Sequence, residues 1–219
     1  MFKKIIIIIT LLSIGGILTL AAASGIIKVP FLSPLLGADK PRNLIGEVDL
    51  NLYKDALIKG EVTLTDEVNK YCLTCDISYK DFSPMDITLS SAELSSLLQA
   101  TNNDLGPLKE IQVKLNDNNQ AEMSAYLNLK DYGYDFSGPV YAAGSIAKSD
   151  SSNLAIKIQR VEVGILSIPE KYIKQGEDSL NILVNSQLAK MPDLKIDLLE
   201  ISDSSLRFKG NYPKTASVK

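Results

Sequence analysis

From Glu110 onward, polar and apolar side chains alternate along the chain. Ile111, Val113 and Leu115 share one parity, and Asn116-Asp117-Asn118-Asn119 reads as a turn. Ala121, Met123, Ala125, Leu127 and Leu129 alternate back, followed by Tyr132, Tyr134 and Phe136, aromatics of one parity, and then Gly138-Pro139. Val140, Ala142, Gly144 and Ile146 alternate again before a turn at Ser149 to Asn153. Leu154, Ile156 and Ile158 keep even numbers, but Val161, Val163 and Ile165 are odd. This one-residue change of phase near Gln159-Arg160 predicts a β-bulge. A period of two over this length predicts an antiparallel meander of at least four strands. Its last strand, read as Asn153 to Leu166, would run ~46 Å if unbroken, well beyond the common strand length. Such a strand predicts a long, curved sheet with something held inside its curl.

After Pro169 the period changes. Ile173, Leu180, Val184, Leu188 and Met191 follow at helical spacing, with Ile182 and Leu183 widening the stripe, until Pro192. Pro169 suits a first helical turn, where its missing N–H costs nothing. Gly176 falls on the stripe, where a glycine implies close approach by a strand, a helix or an acyl chain. Leu194-Lys-Ile196-Asp-Leu198 and Leu206-Arg-Phe208 predict a final hairpin around Ser202-Asp203-Ser204, with a polar tail at 213–219. Upstream, "VTLT" at Val62 and "ITLS" at Ile87 each lead a short strand end into a short helix. Ser90 and Glu93 have capping-box spacing, and Leu94, Leu97 and Leu98 then share a helix face.

The N-terminus changes the picture most. Lys3 and Lys4 precede an uncharged run from Ile5 to Ile27, which as a helix spans ~34 Å, enough for a bilayer core. Positive charge before the run puts the following domain outside. A cleaved signal with Ala21-Ala22-Ala23 as its site is the competing reading, and the length of the run favours the anchor. The expected organisation is therefore an anchor or signal sequence at 1–28, a Pro/Gly-containing linker at 29–46, an extracytoplasmic domain at 47–212 and the tail. The expected place is the cell membrane, crossed once.

Composition narrows the chemistry. The chain has 219 residues, no histidine, no tryptophan and a formal net charge of −3. Histidine-dependent triads and the H-E-x-x-H zinc motif are excluded, and nothing points to nucleic acid. Cys72 and Cys75 are read as a local disulfide or two inert thiols, since redox chemistry wants a helix N-terminus and no second pair completes a zinc site. No S-x-x-K or G-x-S-x-G occurs. The acidic pairs Asp131/Asp135, Glu177/Asp178 and Asp193/Asp197 fall in turns or on polar faces. No catalytic residue, metal or cofactor is expected.

The strand–Gly164-x-Leu166-x-Ile168-Pro169–helix joint, the Met191-Pro192 ending and the final hairpin resemble the YpmS-like envelope proteins, over roughly residues 45–212. More distantly the layout is similar to LmeA-like phospholipid-binding proteins and tubular lipid-binding half-domains. The resemblance implies an α+β domain in which a long curved antiparallel meander wraps a long amphipathic helix, with a lipid between them. The small residues Ala121, Ala125, Ala142 and Gly144 leave room for such a ligand. The expected function is non-catalytic binding of a lipid or other apolar molecule. The expected lining is Ile168, Tyr172, Ile173, Gly176, Leu180, Leu183 and Val184 from the helix side, and Met123, Ala125, Ala142 and Gly144 from the sheet. The alternative is a solid-cored module of an envelope complex, offering its sheet edges to a protein partner for strand addition.

Overall fold

A computed structural model of the protein describes residues 19–20, 23–24, 33, 37–72, 75–102 and 104–219. Most of the expected anchor and the first part of the linker lie outside the described residues. Among those described, no helix is long and apolar enough to cross a membrane.

The architecture is α+β, with two mainly antiparallel sheets and three α-helices of nine residues or more. In chain order the elements are α1 (Leu52–Gly60), β1 (Thr63–Leu64), β2 (Ile77–Ser90), α2 (Ser91–Asn102), β3 (Leu108–Asn116), β4 (Gln120–Asn128), β5 (Ser137–Lys148), β6 (Leu154–Val163), β7 (Leu166–Ser167), α3 (Glu170–Leu188), β8 (Lys195–Ser202) and β9 (Ser205–Val218).

The alternating segment forms a five-stranded meander in the order β3-β4-β5-β6-β7. The bulge falls where the phase changes: Ala143 pairs with Arg160 and Gly144 with Ile158, so Gln159 is the extra residue. The expected 14-residue last strand is not formed. Gly164 adopts φ +60°, and the chain doubles back so that β7 pairs with the end of β6 through Val163–Leu166 and Glu162–Ser167. Glycine takes that conformation without strain, and the turn removes the long strand that would have curled the sheet.

The second sheet is built from two 14-residue strands, β2 and β9, paired from Ile77–Val218 to Ser90–Ser205. β8 pairs with the first half of β9, and β1 lies parallel to Thr215–Ala216. Residues 213–218 are therefore strand and not a polar tail. Pro213 and Ala216 are buried there, and the Tyr71 hydroxyl donates to Ala216 O (2.8 Å). The capping box at the head of α2 forms as expected: Glu93 N donates to Ser90 Oγ (3.2 Å) and Ser90 N to Glu93 Oε2 (2.8 Å).

Two cores result. One joins Ile111, Val113, Leu115 and Ala125 of the meander to Ile201 of β8, with Leu94 and Leu98 of α2 against it. The other gathers Met191, Leu194 and Ile196 with Tyr79, Phe82 and Phe208, below the end of α3.

Candidate functional site

The expected binding site centres on α3, and its placement follows from hydrogen bonding. α3 runs along the outer edge of β6. Asn185 accepts from Leu154 N (2.9 Å) and donates to Leu154 O (3.0 Å). Asn181 makes the same pair of bonds with Ile156 (2.9 and 2.8 Å), and Glu177 Oε2 accepts from Ile158 N (2.7 Å). Beyond these rungs, β7 and the residue after it take over, with Ile168 N donating to Val161 O (2.9 Å).

The opposite edge is closed in the same manner by α2. Leu115 N donates to Ser91 Oγ (3.0 Å), Val113 N to Ser95 Oγ (2.8 Å), and Gln99 Nε2 to Ile111 O (2.7 Å). Each ladder uses helix positions i, i+4 and i+8 against strand positions two apart. Four helical residues advance about 6.0 Å and two strand residues about 6.6 Å, so three rungs stay in register. Each bond is worth about 1 kcal/mol net, and an unmet strand amide costs more. The expectation of sheet edges open to strand addition is thus overturned for the five-stranded sheet: both edges are bonded to the protein's own helices and β7.

This ladder sets how the expected lining residues stand. None of the residues of α3 is fully buried: Ile173, Leu180, Leu183 and Val184 are partly buried, and Tyr172 and Gly176 are exposed. The close approach inferred at Gly176 is contradicted, since among the described residues a Cβ there would meet nothing within 4 Å. Ile168 is half-exposed after β7. On the sheet, Met123 pairs with Ala142 and both are partly buried, Met123 against the first core in which Ala125 is fully buried. Gly144 does not leave room for a ligand. A Cβ there would run into Lys157 O, so the neighbouring strand at the bulge takes the space.

Two open clefts among the described residues are lined by none of these positions. One of about 640 Å³ lies between β6 and α3, lined by Ala155, Lys157, Lys174, Asp178 and Ile182. The other, of about 370 Å³, lies between residues 41–50 and the start of β3.

The outer face of the meander is polar. Glu162 is buried between Arg42 and Arg160, in ion pairs with both. The two guanidinium groups flank the Tyr141 ring, at 4.2 and 5.8 Å from its centre. The Tyr141 hydroxyl donates to Glu122 (2.7 Å) and is the main reason the Glu122 carboxyl sits below its ordinary range, against the opposing effect of burial. Burial, then Glu122, pushes the Tyr141 hydroxyl up. Leu44 and Ile45 N–H groups both donate to Gln112 Oε1. Residues 42–46, expected as part of a linker, are therefore bonded to the domain. The charges here neutralise one another, which makes the cluster a clamp for the N-terminal segment.

Cys72 and Cys75 are joined as a disulfide just after a short helical turn at Val68–Lys70. Among the described residues, no group of three or more Cys, Asp or Glu side chains is placed to hold a metal ion. Of the acidic pairs, Glu177 serves the β6 ladder and Asp197 pairs with Lys195 (2.8 Å). No protein-family model matches the chain, and no curated protein matches it.

Sequence reasoning identified α3 and its stripe but missed both ladders. Their signal was present as polar residues spaced by four beside each apolar stripe: Ser91, Ser95, Gln99 and Glu177, Asn181, Asn185.

Proposed function

We propose that the protein is a membrane-tethered, extracytoplasmic and non-catalytic module that takes up a lipid chain or similar apolar molecule along α3. One observation supports this above the others. A 19-residue helix carries an apolar stripe, is fixed in place by polar rungs, and buries none of its residues. A helix that only completed a core would be held by that stripe. Here the stripe is only partly buried along the outer edge of β6, as an open shelf and not the wrapped groove of the tubular lipid-binding resemblance. The apolar run from Ile5 to Ile27 supports the tether, and the lack of histidine supports a binding role over catalysis.

The buried cluster of Ile111, Leu115, Ala125 and Ile201 favours a second reading, a solid-cored scaffold in an envelope complex. The full chain in vesicles containing a phospholipid with a photoactivatable acyl chain separates the two. Under the binding reading, labelled peptides include Ile173–Val184, and Leu180→Asp removes that label. Label confined to residues 1–28 would overturn lipid binding and leave the scaffold.

A further inference from the structure

We infer that one end of the five-stranded sheet is a docking surface for a lipid bilayer. It is the end where β4 leaves, β5 enters and β6 turns back. Leu105, Tyr132, Tyr134 and Ile165 all stand there, between 44% and 67% exposed. They make up four of the nine large apolar side chains exposed among the described residues. The Tyr132 hydroxyl donates to Leu105 O (3.1 Å), Leu129 N to Phe136 O (2.9 Å), and Gly164 N to Pro139 O (2.8 Å), which ties the three loops into one rim.

The opposite end of the sheet is closed. Asn119 N donates to Ile201 O, Asn119 Oδ1 accepts from Ile201 N (2.7 Å), and Ile196 N donates to Ser151 O (2.6 Å), so β8 covers the hairpin turns there. Of the two ends of this sheet, only the first therefore gathers exposed aromatic and apolar side chains among the described residues. Lys130 and Lys171 lie beside Asp131, Asp135 and Glu170. The rim has little net charge, and its rings, not its charges, fit it to a headgroup–acyl boundary.

A second observation selects a bilayer over a protein partner. Ala23 lies within the apolar run Ile5–Ile27 and is 5% exposed. Its carbonyl accepts from Ile165 N (3.0 Å), and a Cβ on Gly164 would collide with it. At its described residue Ala23 the run therefore meets the folded domain at this same rim, and a bilayer that takes up the run would face Tyr132, Tyr134 and Ile165. The inference rests on the tethered reading for the bilayer, and on the rim itself for the orientation.

The test uses the absence of tryptophan from the chain. Full-length Tyr134→Trp and Ile58→Trp proteins are incorporated into phosphatidylcholine/phosphatidylglycerol vesicles with or without brominated acyl chains, and vesicle flotation is scored in parallel. Ile58 is 74% exposed on α1, away from the rim. Docking predicts that bromolipid lowers Tyr134→Trp emission at least about twofold and leaves Ile58→Trp unchanged. Flotation without quenching at position 134, or with equal quenching at both, overturns the docking surface and spares the tether. Failure to float, with no quenching, overturns both.

Discussion

Gly144 and Gly176 look alike in the sequence, each a small residue on an apolar face, yet the fold uses them in opposite ways. At Gly144 the bulge brings Lys157 O into the space of a Cβ. Gly144→Ala should cost about 1–3 kcal/mol, read as a lower urea midpoint, because backbone and not a flexible side chain must move. At Gly176 nothing is near. Gly176→Ala should raise stability by about 0.5–1 kcal/mol through helix propensity alone, with the same measurement as its check. No property of the two glycines in one dimension separates them. What separates them is the partner strand, fixed only when the bulge at Gln159 sets the register. The capping box at Ser90 was legible because both its members lie within one turn of chain.

Between elements, the meander and α3 could be read from periodicity, since strand and helix impose periods of two and 3.6 on whatever side chains face a core. The way they join could not. The apolar stripe suggested a helix lying on the sheet, whereas Asn181 and Asn185 hold it at the edge, and polar side chains on a helix are ordinarily read as solvated. Asn181→Ala with Asn185→Ala should expose the β6 edge. The amides of Leu154 and Ile156 should then exchange with solvent at least about tenfold faster, equivalent to about 1.4 kcal/mol. Glu177 adds a pH dependence. Lys174 first, and then the Ile158 amide, hold its carboxyl below the ordinary 4.5. A folded pKa lowered in this way contributes stability above the unfolded value, and the contribution fades as pH falls through the folded one. The stability gap between wild type and Glu177→Gln should be full at neutral pH and shrink below 4.5, followed by urea midpoints across pH. The doubling back at Gly164 was hidden because Ile165 and Leu166 continue an apolar strand pattern through the turn.

Across the whole molecule, the N-terminal segment is the part least legible beforehand. Prolines and glycines in 29–46 suggested a spacer, but Arg42 reaches a glutamate 120 residues away, a pairing no local pattern announces. Glu162→Gln should loosen that clamp and speed tryptic cleavage after Arg42 in the full chain about tenfold, or about 1.4 kcal/mol of opening; an unchanged rate would show the segment is held by other contacts. The joint between α3 and β6 has one more consequence, in how the molecule meets changes of temperature. Its polar rungs add hydrogen bonds to the contacts of a stripe that is only partly buried, so lifting the helix away uncovers less apolar surface than opening the two cores. The heat capacity change of that opening is therefore small beside that of unfolding the two cores. Apolar contacts weaken on cooling, and the polar rungs of this joint do not depend on them. In the cold, where the cores around Ile111 and Met191 lose part of their hold, the helix should stay seated on its strand.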